Sequence, residues 1–300
     1  EPDSERTEDM GGKLFRKLVE SYDSRDEALR HFIQAYLASI ASVDEQVGRI
    51  LDVIDSTELK DNTIIVLTSD HGWGMGEKDY LYKNSLWQES TRIPLIVRAP
   101  GIAPADTTCS QPVSLVDIYP TLSDLCELEG DTMKNEKGHP LDGHSFRPLL
   151  EDPARGTWTG PDEALTALYK WRMKYDPHEE SYSLRSNDWR YIRYENGKEE
   201  LYNTASDPNE WKNLATEAQH SYEVNRLRQV LASRLPKKGV VPPQPQWKAP
   251  GKPEPKSNDY WKNLYFKKNP DADADKDGIL SWPEFHTHKK TAETAAQSTN

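Results

Sequence analysis

The chain has 300 residues, of which 35% are hydrophobic, and its 38 basic and 50 acidic residues give a net charge of -12. This hydrophobic share lies below the roughly 45–50% of soluble domains, so part of the chain is expected to lie outside any core, and the negative charge disfavours a nucleic-acid partner. Two cysteines exclude a disulfide framework and a cysteine-rich zinc site, and no apolar run approaches the ~18 residues of a membrane span.

The first predicted element is a long amphipathic helix over residues 27–56. Its apolar side chains recur at spacings of three, four and seven, as on one side of a 3.6-residue helix. They are Ile33, Leu37, Ile40, Val47, Leu51 and Ile54. Asp44 lies on the same stripe, so its carboxylate is expected to be paired or hydrogen-bonded, because burying an unpaired carboxylate is costly.

Two buried strands and a further helix are predicted next. Residues 63–69 form a continuous β-branched and apolar run, typical of a strand covered on both faces of a parallel sheet, and residues 93–98 resemble it. A helix follows from about Asp117 to Leu128, with Pro120 in its first turn. This succession predicts the α/β class for residues 1–160.

The rest of the chain changes character three times. Residues 161–235 predict an antiparallel subdomain, with a hairpin turn at Asn196-Gly197 and a closing helix. Seven prolines in residues 236–258 predict a semi-extended linker. A small module over 259–288 and a disordered tail over 289–300 complete the predicted organisation.

Asp70 and His71 are the first candidate functional residues, because they follow directly on the 63–69 strand. Ligands of open α/β sheets bind at the carboxyl ends of strands. The next loop is long and rich in glycine and aromatic residues, which favours a functional loop over a disordered one. It also carries Lys78 and Lys83, and a cation beside a metal suits an anionic group such as sulfate or phosphate.

Eight segments in chain order resemble the type I sulfatases of the alkaline-phosphatase-like superfamily. They are DEQVGRILDVID (44–55), TIIVLTSDHGWGMGE (63–77), YK (82–83), RIPLIVRAPG (92–101), VSLVDIYPTL (113–122), LDGHSFRPLL (141–150), SLRSNDWRYIRY (183–194) and ELYNTASDPNEWKNLA (200–215). The Asp-His pair is most similar to the iduronate-2-sulfatase and choline-sulfatase branch. The resemblance implies part of that family's α/β sandwich with a smaller antiparallel C-terminal subdomain.

Carried over by residue, the resemblance implies that Asp70 and His71 complete a calcium or magnesium site and that Lys83 contacts the sulfate ester. Hard cations prefer oxygen ligands, which supports Asp70 more firmly than His71. Roles for four further residues stay open, with turn-anchoring the plainer alternative for both histidines. These residues are Lys78, His139, His144 and Arg185.

The sulfatase nucleophile has no counterpart in this sequence. The family uses a formylglycine made from a C-x-P-S-R-type motif, and neither Cys109 nor Cys126 is followed by such residues. The family's upstream aspartate pair is also missing before residue 63. The expectation is therefore a C-terminal sulfatase part that is inactive alone, with the formylglycine in a missing N-terminal part.

Residues 273–284 match the spacing of an EF-hand calcium loop. The predicted ligands occupy loop positions one, three, five, seven, nine and twelve, with Gly278 at the sharp turn. They are Asp273, Asp275, Asp277, Ile279, Ser281 and Glu284. EF-hands usually pair and the sequence contains one, so affinity is expected to be modest or the module to pair with another chain.

Three functions stay open at this stage. Hydrolysis of a sulfate ester, with a sulfated small molecule or glycan as partner, is the leading interpretation. A phosphonate or phosphodiester hydrolase of the same superfamily shares the metal architecture, and a calcium-dependent scaffold without catalysis is the third. Export to the periplasm or the extracellular space is expected from the resemblance and from the calcium chemistry, although no signal segment is present.

Overall fold

The computed structural model describes residues 9–129, 140–169, 176–237, 258–276 and 278–297. The chain forms two compact units, Glu1–Val241 and Pro242–Asn300. Most of the predicted linker lies outside the described residues, and the predicted domain boundary near residue 160 remains a prediction. No described helix combines the length and the apolar composition that a bilayer span requires.

The first unit begins with helices α1 (Met10–Val19) and α2 (Arg25–Asp55), of which only α2 was predicted. The Asp9 carboxylate caps α1 by accepting hydrogen bonds from the Gly11 and Gly12 N–H groups at 2.9 and 3.2 Å. The Ser24 hydroxyl caps α2 in the same way, through the Glu27 N–H. The periodicity therefore located α2 to within two residues at either end.

The apolar side of α2 is largely exposed in this chain. Ile33, Leu37 and Ile40 are 38%, 56% and 48% exposed. Asp44 is exposed as well, so the expected burial and pairing of its carboxylate is wrong. The periodic pattern gave the correct helix, and the described residues supply no partner surface for its middle.

The two predicted buried strands are shorter and paired differently from the prediction. Strand β1 (Ile65–Thr68) pairs with β4 (Leu95–Arg98) in an antiparallel two-stranded sheet. Leu67 is 38% and Ile96 is 59% exposed, so the expected parallel sheet covered on both faces is wrong here. The connection between them carries no crossover helix and returns the chain beside β1, which fixes the antiparallel direction.

That connection contains the short hairpin β2 (Gly74–Met75) and β3 (Leu81–Tyr82), followed by helix α3 (Gln88–Thr91). After β4 come helices α4 (Ile118–Leu125) and α5 (Arg147–Glu151). Helix α4 is preceded by a capping box between Ser114 and Asp117 and ends three residues earlier than predicted.

The antiparallel strands and the closing helix predicted within residues 161–235 are present in the structure. Strands β5 (Ala164–Leu168), β6 (Ser181–Arg185), β7 (Trp189–Arg193) and β8 (Glu199–Asn203) form a four-stranded sheet in chain order. Helix α6 (Ser221–Arg234) packs on it, and a core that includes Leu184, Tyr191 and Leu227 is fully buried between them. Gly197, at a φ of 82°, closes the β7–β8 turn with a hydrogen bond from its N–H to the Tyr194 carbonyl.

The second unit consists of helices α7 (Asn258–Lys268) and α8 (Trp282–Gln297) around an acidic loop. Leu280 in that loop is 1% exposed, and the Tyr265 and Phe285 rings pack edge to face between the helices. The disordered tail predicted from residue 289 is wrong as far as Gln297, because α8 continues to that residue. Its alanine-rich sequence has a high helix propensity, which accounts for the difference.

Candidate active site

The Asp-His turn after β1 is held against helix α3 by a close backbone contact. The Gly72 N–H donates a hydrogen bond to the Ser90 carbonyl at 2.9 Å. A Cβ atom at Gly72 would lie 2.0 Å from the Glu89 carbonyl oxygen, so a side chain there would force the turn away. The glycine in SDHG is therefore required by packing, and it fixes the position of His71.

His71 is oriented so that one ring nitrogen is engaged and the other faces Asp70. Its Nδ1 lies 2.7 Å from the Gly72 carbonyl, which makes Nδ1 the protonated nitrogen of the neutral ring. Its Nε2 lies 3.6 Å from Asp70 Oδ2, and the Asp70 side chain is 82% exposed. A ring held by a backbone carbonyl with its other nitrogen free is the usual arrangement of a metal-binding histidine.

The three predicted site residues Asp70, His71 and Lys83 line one cavity of about 1640 Å³. Lys83 follows β3, and Trp73 packs edge to face on the neighbouring Tyr82 with ring centroids 5.1 Å apart. Two potential ligands and one cation thus reach the same space from the two ends of the β2–β3 hairpin.

The cavity offers only part of a metal site. Among the described residues, three or more clustered His, Cys, Asp or Glu ligands occur in the acidic loop of the second unit and not at this cavity. Calcium takes six to eight ligands, mostly oxygen. The donor chemistry of Asp70 and the oriented His71 fits a divalent cation, and the remaining ligands have to come from elsewhere.

Lys78, whose role was open, is turned away from the cavity. Its ammonium donates a hydrogen bond to the Glu210 carbonyl and lies 4.9–5.6 Å from the ring centroids of Trp87, Tyr202 and Trp211. Burial lowers the pKa of Lys78, and the negative charges of nearby carboxylates oppose that shift. Lys78 therefore joins the loop to the sheet subdomain.

A buried ion pair that the sequence did not reveal makes the same connection. Arg190 on β7 and Glu210 are 2% and 0% exposed and form an ion pair. Arg190 also donates to the Ser183 hydroxyl at 2.9 Å, and the second Glu210 oxygen accepts from the Gln88 N–H at the start of α3. No sequence signal identified this pair, because its residues are twenty positions apart in a polar segment.

Glu200 is a second buried carboxylate at this junction. It accepts hydrogen bonds from Trp87 Nε1 at 2.8 Å and from the Tyr194 and Tyr202 hydroxyls at 3.0 Å. The negative charge of Glu200, together with burial, raises the pKa of the Tyr202 hydroxyl. Three donors satisfy this carboxylate, so it fixes the loop that carries Lys83 and offers no free ligand.

The other residues whose roles the sequence left open do not lie together. Arg185 lines the same cavity as Asp70 and donates to the carbonyls of Ser186 and Asn187. His144 packs on Trp158 outside the cavity lining, and its backbone N–H donates to Asp117 Oδ1 at 2.8 Å, so the backbone anchors this turn, whereas the buried ring Nδ1 has no hydrogen-bond partner among the described residues. His139 lies outside the described residues.

Both cysteines are exposed and free. Cys109 lines the cavity, whereas Cys126 ends α4. The residues after Cys109 are Ser-Gln-Pro-Val, which do not match the formylglycine motif, so its position at the cavity does not make it the nucleophile.

The acidic loop of the second unit gathers three of the predicted ligands. Asp273, Asp275 and Glu284 place ligand atoms within 4.8 Å of one another. Glu284 accepts hydrogen bonds from the N–H groups of Ala274 and Ser281 and from the Ser281 hydroxyl. These bonds hold the pKa of Glu284 at about 2.

Asp273 has an unsatisfied oxygen in this loop. The side chain is 8% exposed, and its Oδ1 has no hydrogen-bond partner, whereas Oδ2 accepts from the Gly278 N–H at 2.9 Å. Gly278 has a φ of 85°, as the sharp turn requires. Asp277 lies outside the described residues, and the Ile279 side chain points outward at 66% exposure.

Two family models together match most of the first unit. The model described as "Sulfatase" matches residues 12–128, and that described as "N-sulphoglucosamine sulphohydrolase, C-terminal" matches residues 76–237. Among curated proteins, a "Sulfatase" of Formosa agariphila is 33% identical over 202 residues, 67% of this chain and 36% of the relative. An "N-acetylglucosamine-6-O-sulfatase" of Bacteroides thetaiotaomicron is 31% identical over 208 residues, 67% of this chain and 35% of the relative.

Solved structures of related hydrolases are also similar to this chain. An enzyme in complex with its substrate D-glucosamine-2-N,6-O-disulfate has a TM-score of 0.61 and 28% identity, over 70% of this chain and 41% of the other. The phosphonate monoester hydrolase of Agrobacterium radiobacter has a TM-score of 0.55 and 28% identity, over 65% and 39%. The chain spans about a third of the length of the curated relatives it matches. On these matches, the chain belongs to the sulfatase family.

Proposed function

We propose that this chain forms part of an enzyme that hydrolyses sulfate esters. The observation that carries the proposal is that Asp70, His71 and Lys83 line the same cavity. A carboxylate and an imidazole nitrogen suit a divalent cation, and an ammonium group beside them suits the oxygen atoms of a sulfate ester. The sulfatase relatives support the same reaction.

In this proposal each residue has a separate task. Asp70 Oδ2 and His71 Nε2 hold calcium or magnesium, and the Gly72 carbonyl keeps His71 in the tautomer that leaves Nε2 free. Lys83 contacts the ester oxygens and balances their charge. The bound cation supplies Lewis acidity at the sulfate group.

This sequence contains no nucleophile motif, and the described residues do not gather the remaining metal ligands at the cavity. Sulfatases in general use a formylglycine and a divalent metal, and the sequences after Cys109 and Cys126 do not fit the formylglycine motif. We therefore propose that the chain alone has no turnover. Hydrolysis of 4-nitrophenyl sulfate by the 300-residue chain would contradict this.

Sulfated sugars are the proposed substrate class, since two of the matched proteins are named for glucosamine sulfates. Membership of the iduronate-2-sulfatase and choline-sulfatase branch and export from the cytoplasm are further parts of the proposal. The first rests on the Asp-His pair at residues 70–71, and the second on calcium being abundant outside cells.

Anion binding by the 300-residue chain tests the site directly. In calorimetric titrations with inorganic sulfate in calcium-containing buffer, Lys83→Gln should lose about tenfold in affinity, because a charge-assisted contact is removed. Lys17→Gln on α1 makes the same charge change at an exposed position outside the cavity lining and should leave the affinity unchanged. Equal behaviour of both variants would contradict the role of Lys83.

A phosphonate hydrolase is the second candidate, favoured by the similarity to the enzyme of Agrobacterium radiobacter. The two candidates are separated on a longer polypeptide that includes the nucleophile motif. We expect kcat/KM for an aryl sulfate to exceed kcat/KM for an aryl phosphonate monoester. The opposite order would favour the second candidate.

We also propose that residues 273–284 bind calcium as an EF-hand loop. The specific support is the buried, unpaired Oδ1 of Asp273 beside the carboxylates of Asp275 and Glu284. Leaving a buried carboxylate oxygen without a partner is costly, and a bound cation removes that cost. Pairing with a second EF-hand on another chain would complete the usual arrangement.

Terbium luminescence tests the loop, because Trp282 lies within it and can sensitise a bound lanthanide. All variants carry Asp70→Asn to remove the cavity site. We expect calcium-displaceable emission that is lost in Glu284→Gln and retained in Asp271→Asn, an acidic control paired with His288 at 3.1 Å outside the loop. Emission unaffected by Glu284→Gln would exclude the loop as a cation site.

A non-catalytic calcium-dependent scaffold is the remaining alternative, and the upstream coding sequence decides it. A C-x-P-S-R-like motif preceded by an Asp-Asp strand supports the enzyme. Its absence supports the scaffold.

A further inference from the structure

The β6–β7 pair places two arginines directly opposite each other at the cavity. Arg185 on β6 is in register with Arg190 on β7, and both line the cavity. Like charges directly opposite in an antiparallel pair destabilise a sheet. Such a pair needs negative charge close by.

Among the described residues, only one of the two arginines forms an ion pair. Arg190 forms its buried ion pair with Glu210. Arg185 donates to two backbone carbonyls, those of Ser186 and Asn187, and within the described part of the chain no carboxylate forms an ion pair with it. Neutral carbonyls solvate a guanidinium group without balancing its charge.

Burial and the positive charges of Arg190 and Arg92 lower the pKa of Arg185, whereas the negative charges of Glu210 and Asp188 oppose this shift. Arg92 is exposed, lines the same cavity and has no hydrogen-bond or ion-pair partner among the described side chains. Asp61 and Asp106 also line the cavity, and neither forms an ion pair with these arginines. Arg92 and Arg185 therefore form a positively charged patch on the cavity wall in which neither guanidinium group has an ion-pair partner among the described residues.

We propose that Arg92 and Arg185 bind a second anionic group of the substrate, a carboxylate or a second sulfate on the sugar whose ester lies at Lys83. The proposal rests on the proposed function, because it takes Lys83 as the contact of the reacting sulfate. The cavity of about 1640 Å³ is far larger than one sulfate group, so it has room for a sugar with two acidic substituents.

The residue type supports this assignment. A guanidinium group presents parallel N–H donors that match the two oxygens of a carboxylate or sulfate, and a lysine ammonium does not. Two of the Arg185 donors are already fixed by carbonyls on the β6–β7 turn, which orients the group at little further entropic cost. The expected result is selectivity for doubly anionic sugars.

The test compares three probes by calorimetry on the 300-residue chain in calcium-containing buffer. They are N-acetylglucosamine 6-sulfate with one anion, glucosamine 2-N,6-O-disulfate with two sulfates, and a uronic acid 2-sulfate with a carboxylate and a sulfate. We expect at least one doubly anionic probe to bind about tenfold more tightly than the monosulfate. Which of the two does so identifies the second anion.

Two variants assign that selectivity to the arginines. Arg92→Gln alters an exposed side chain without described partners, so it should fold normally and should remove most of the advantage of the doubly anionic probe. Arg185→Lys keeps the positive charge but lacks the parallel N–H donors of a guanidinium group, so it should retain only part of the tighter binding of the doubly anionic probe. Arg49→Gln on α2, an exposed arginine outside the cavity lining, is the matched control and should change nothing.

The outcomes separate this proposal from the proposed function. If the doubly anionic probes bind no more tightly than the monosulfate, or if no probe binds, the second-anion site is excluded. The same holds if Arg92→Gln and Arg49→Gln behave alike. If the selectivity depends on Arg92 and Arg185 while Lys83→Gln has no effect on any probe, the second-anion site stands and the role of Lys83 fails.

Discussion

The sheet subdomain and helix α2 both have apolar side chains on one side, and the structure uses these side chains in opposite ways. Leu184, Tyr191 and Leu227 are 0% exposed between the β5–β8 sheet and α6. On the apolar side of α2, Leu37 is 56% and Ile40 is 48% exposed. The sheet subdomain thus contains both surfaces of its core, whereas α2 presents one surface only.

The difference teaches that in this chain the spacing of apolar residues predicts a helix without predicting whether its apolar side is buried. A 31-residue helix can form from its own hydrogen bonds and end caps, because its length offsets the cost of nucleation. A short antiparallel strand cannot form alone, because it needs hydrogen-bonded neighbouring strands and a surface to pack against on one face. Stability is therefore expected to be concentrated in the sheet subdomain and its junction with the Lys83 loop.

The largest expected effect is at that junction. Arg190→Met leaves the buried Glu210 carboxylate without its cation and should lower the free energy of unfolding by about 3–5 kcal/mol. The double variant Arg190→Met/Glu210→Met removes both charges and should lose less. Urea denaturation followed by circular dichroism measures both, and a single variant as stable as wild type would show that the pair does not hold the junction.

The next effect compares the two apolar surfaces directly. Leu227→Ala in the sheet core should cost about 2–5 kcal/mol, because it leaves a cavity in a fully packed site. Leu37→Ala on α2 should cost less than about 0.5 kcal/mol, since that side chain is mostly exposed. Equal losses in thermal or urea unfolding would mean that the α2 surface is covered in solution.

Two glycines should respond with opposite signs. Gly197→Ala forces a side chain into a φ of 82° and should lower the free energy of unfolding by about 1 kcal/mol. Gly48 lies inside α2, and a Cβ there meets nothing within 4 Å. Gly48→Ala should therefore raise helix stability by about 0.5–1 kcal/mol, measured by helix content and thermal unfolding.

The smallest effect is a pH dependence on the surface of the sheet subdomain. Two hydrogen bonds from Arg228, at 2.6 and 2.8 Å, hold the pKa of Glu199 below its usual range. A lowered carboxyl pKa contributes stability above the unfolded value of 4.5 and loses it as pH falls through the folded value. Wild type should therefore lose more stability than Glu199→Gln between about pH 5 and 3. If the free energy of unfolding in urea falls equally with pH in wild type and in Glu199→Gln, the Arg228–Glu199 pair does not contribute to the pH dependence.

Much of the secondary structure followed from the sequence alone. The 3.6-residue apolar spacing located α2, and alternating strands around Asn196-Gly197 located the β7–β8 hairpin. The Ser-Asp-His-Gly segment pointed to the end of β1, and the structure places Asp70 and His71 at the cavity with Lys83. These features depend on neighbours within one turn or one hairpin, which the sequence contains.

Other features depended on distant residues. The 63–69 run could not show whether its partner strand was parallel or antiparallel, because both directions bury similar residues. Lys78 could not be separated from Lys83 as a site residue, since its turn toward Trp87 and Tyr202 depends on the sheet subdomain more than a hundred residues later.

The sequence by itself determined helices α2, α4 and α6, the four-stranded meander, the family and the types of residue available for a metal and an anion. The tertiary structure decided which cations face the cavity and which are neutralised inside the protein, as Arg185 and Arg190 illustrate on neighbouring strands. The physical reason is that hydrogen bonds and periodicity act over a few residues, whereas charge compensation and burial depend on what folding brings together.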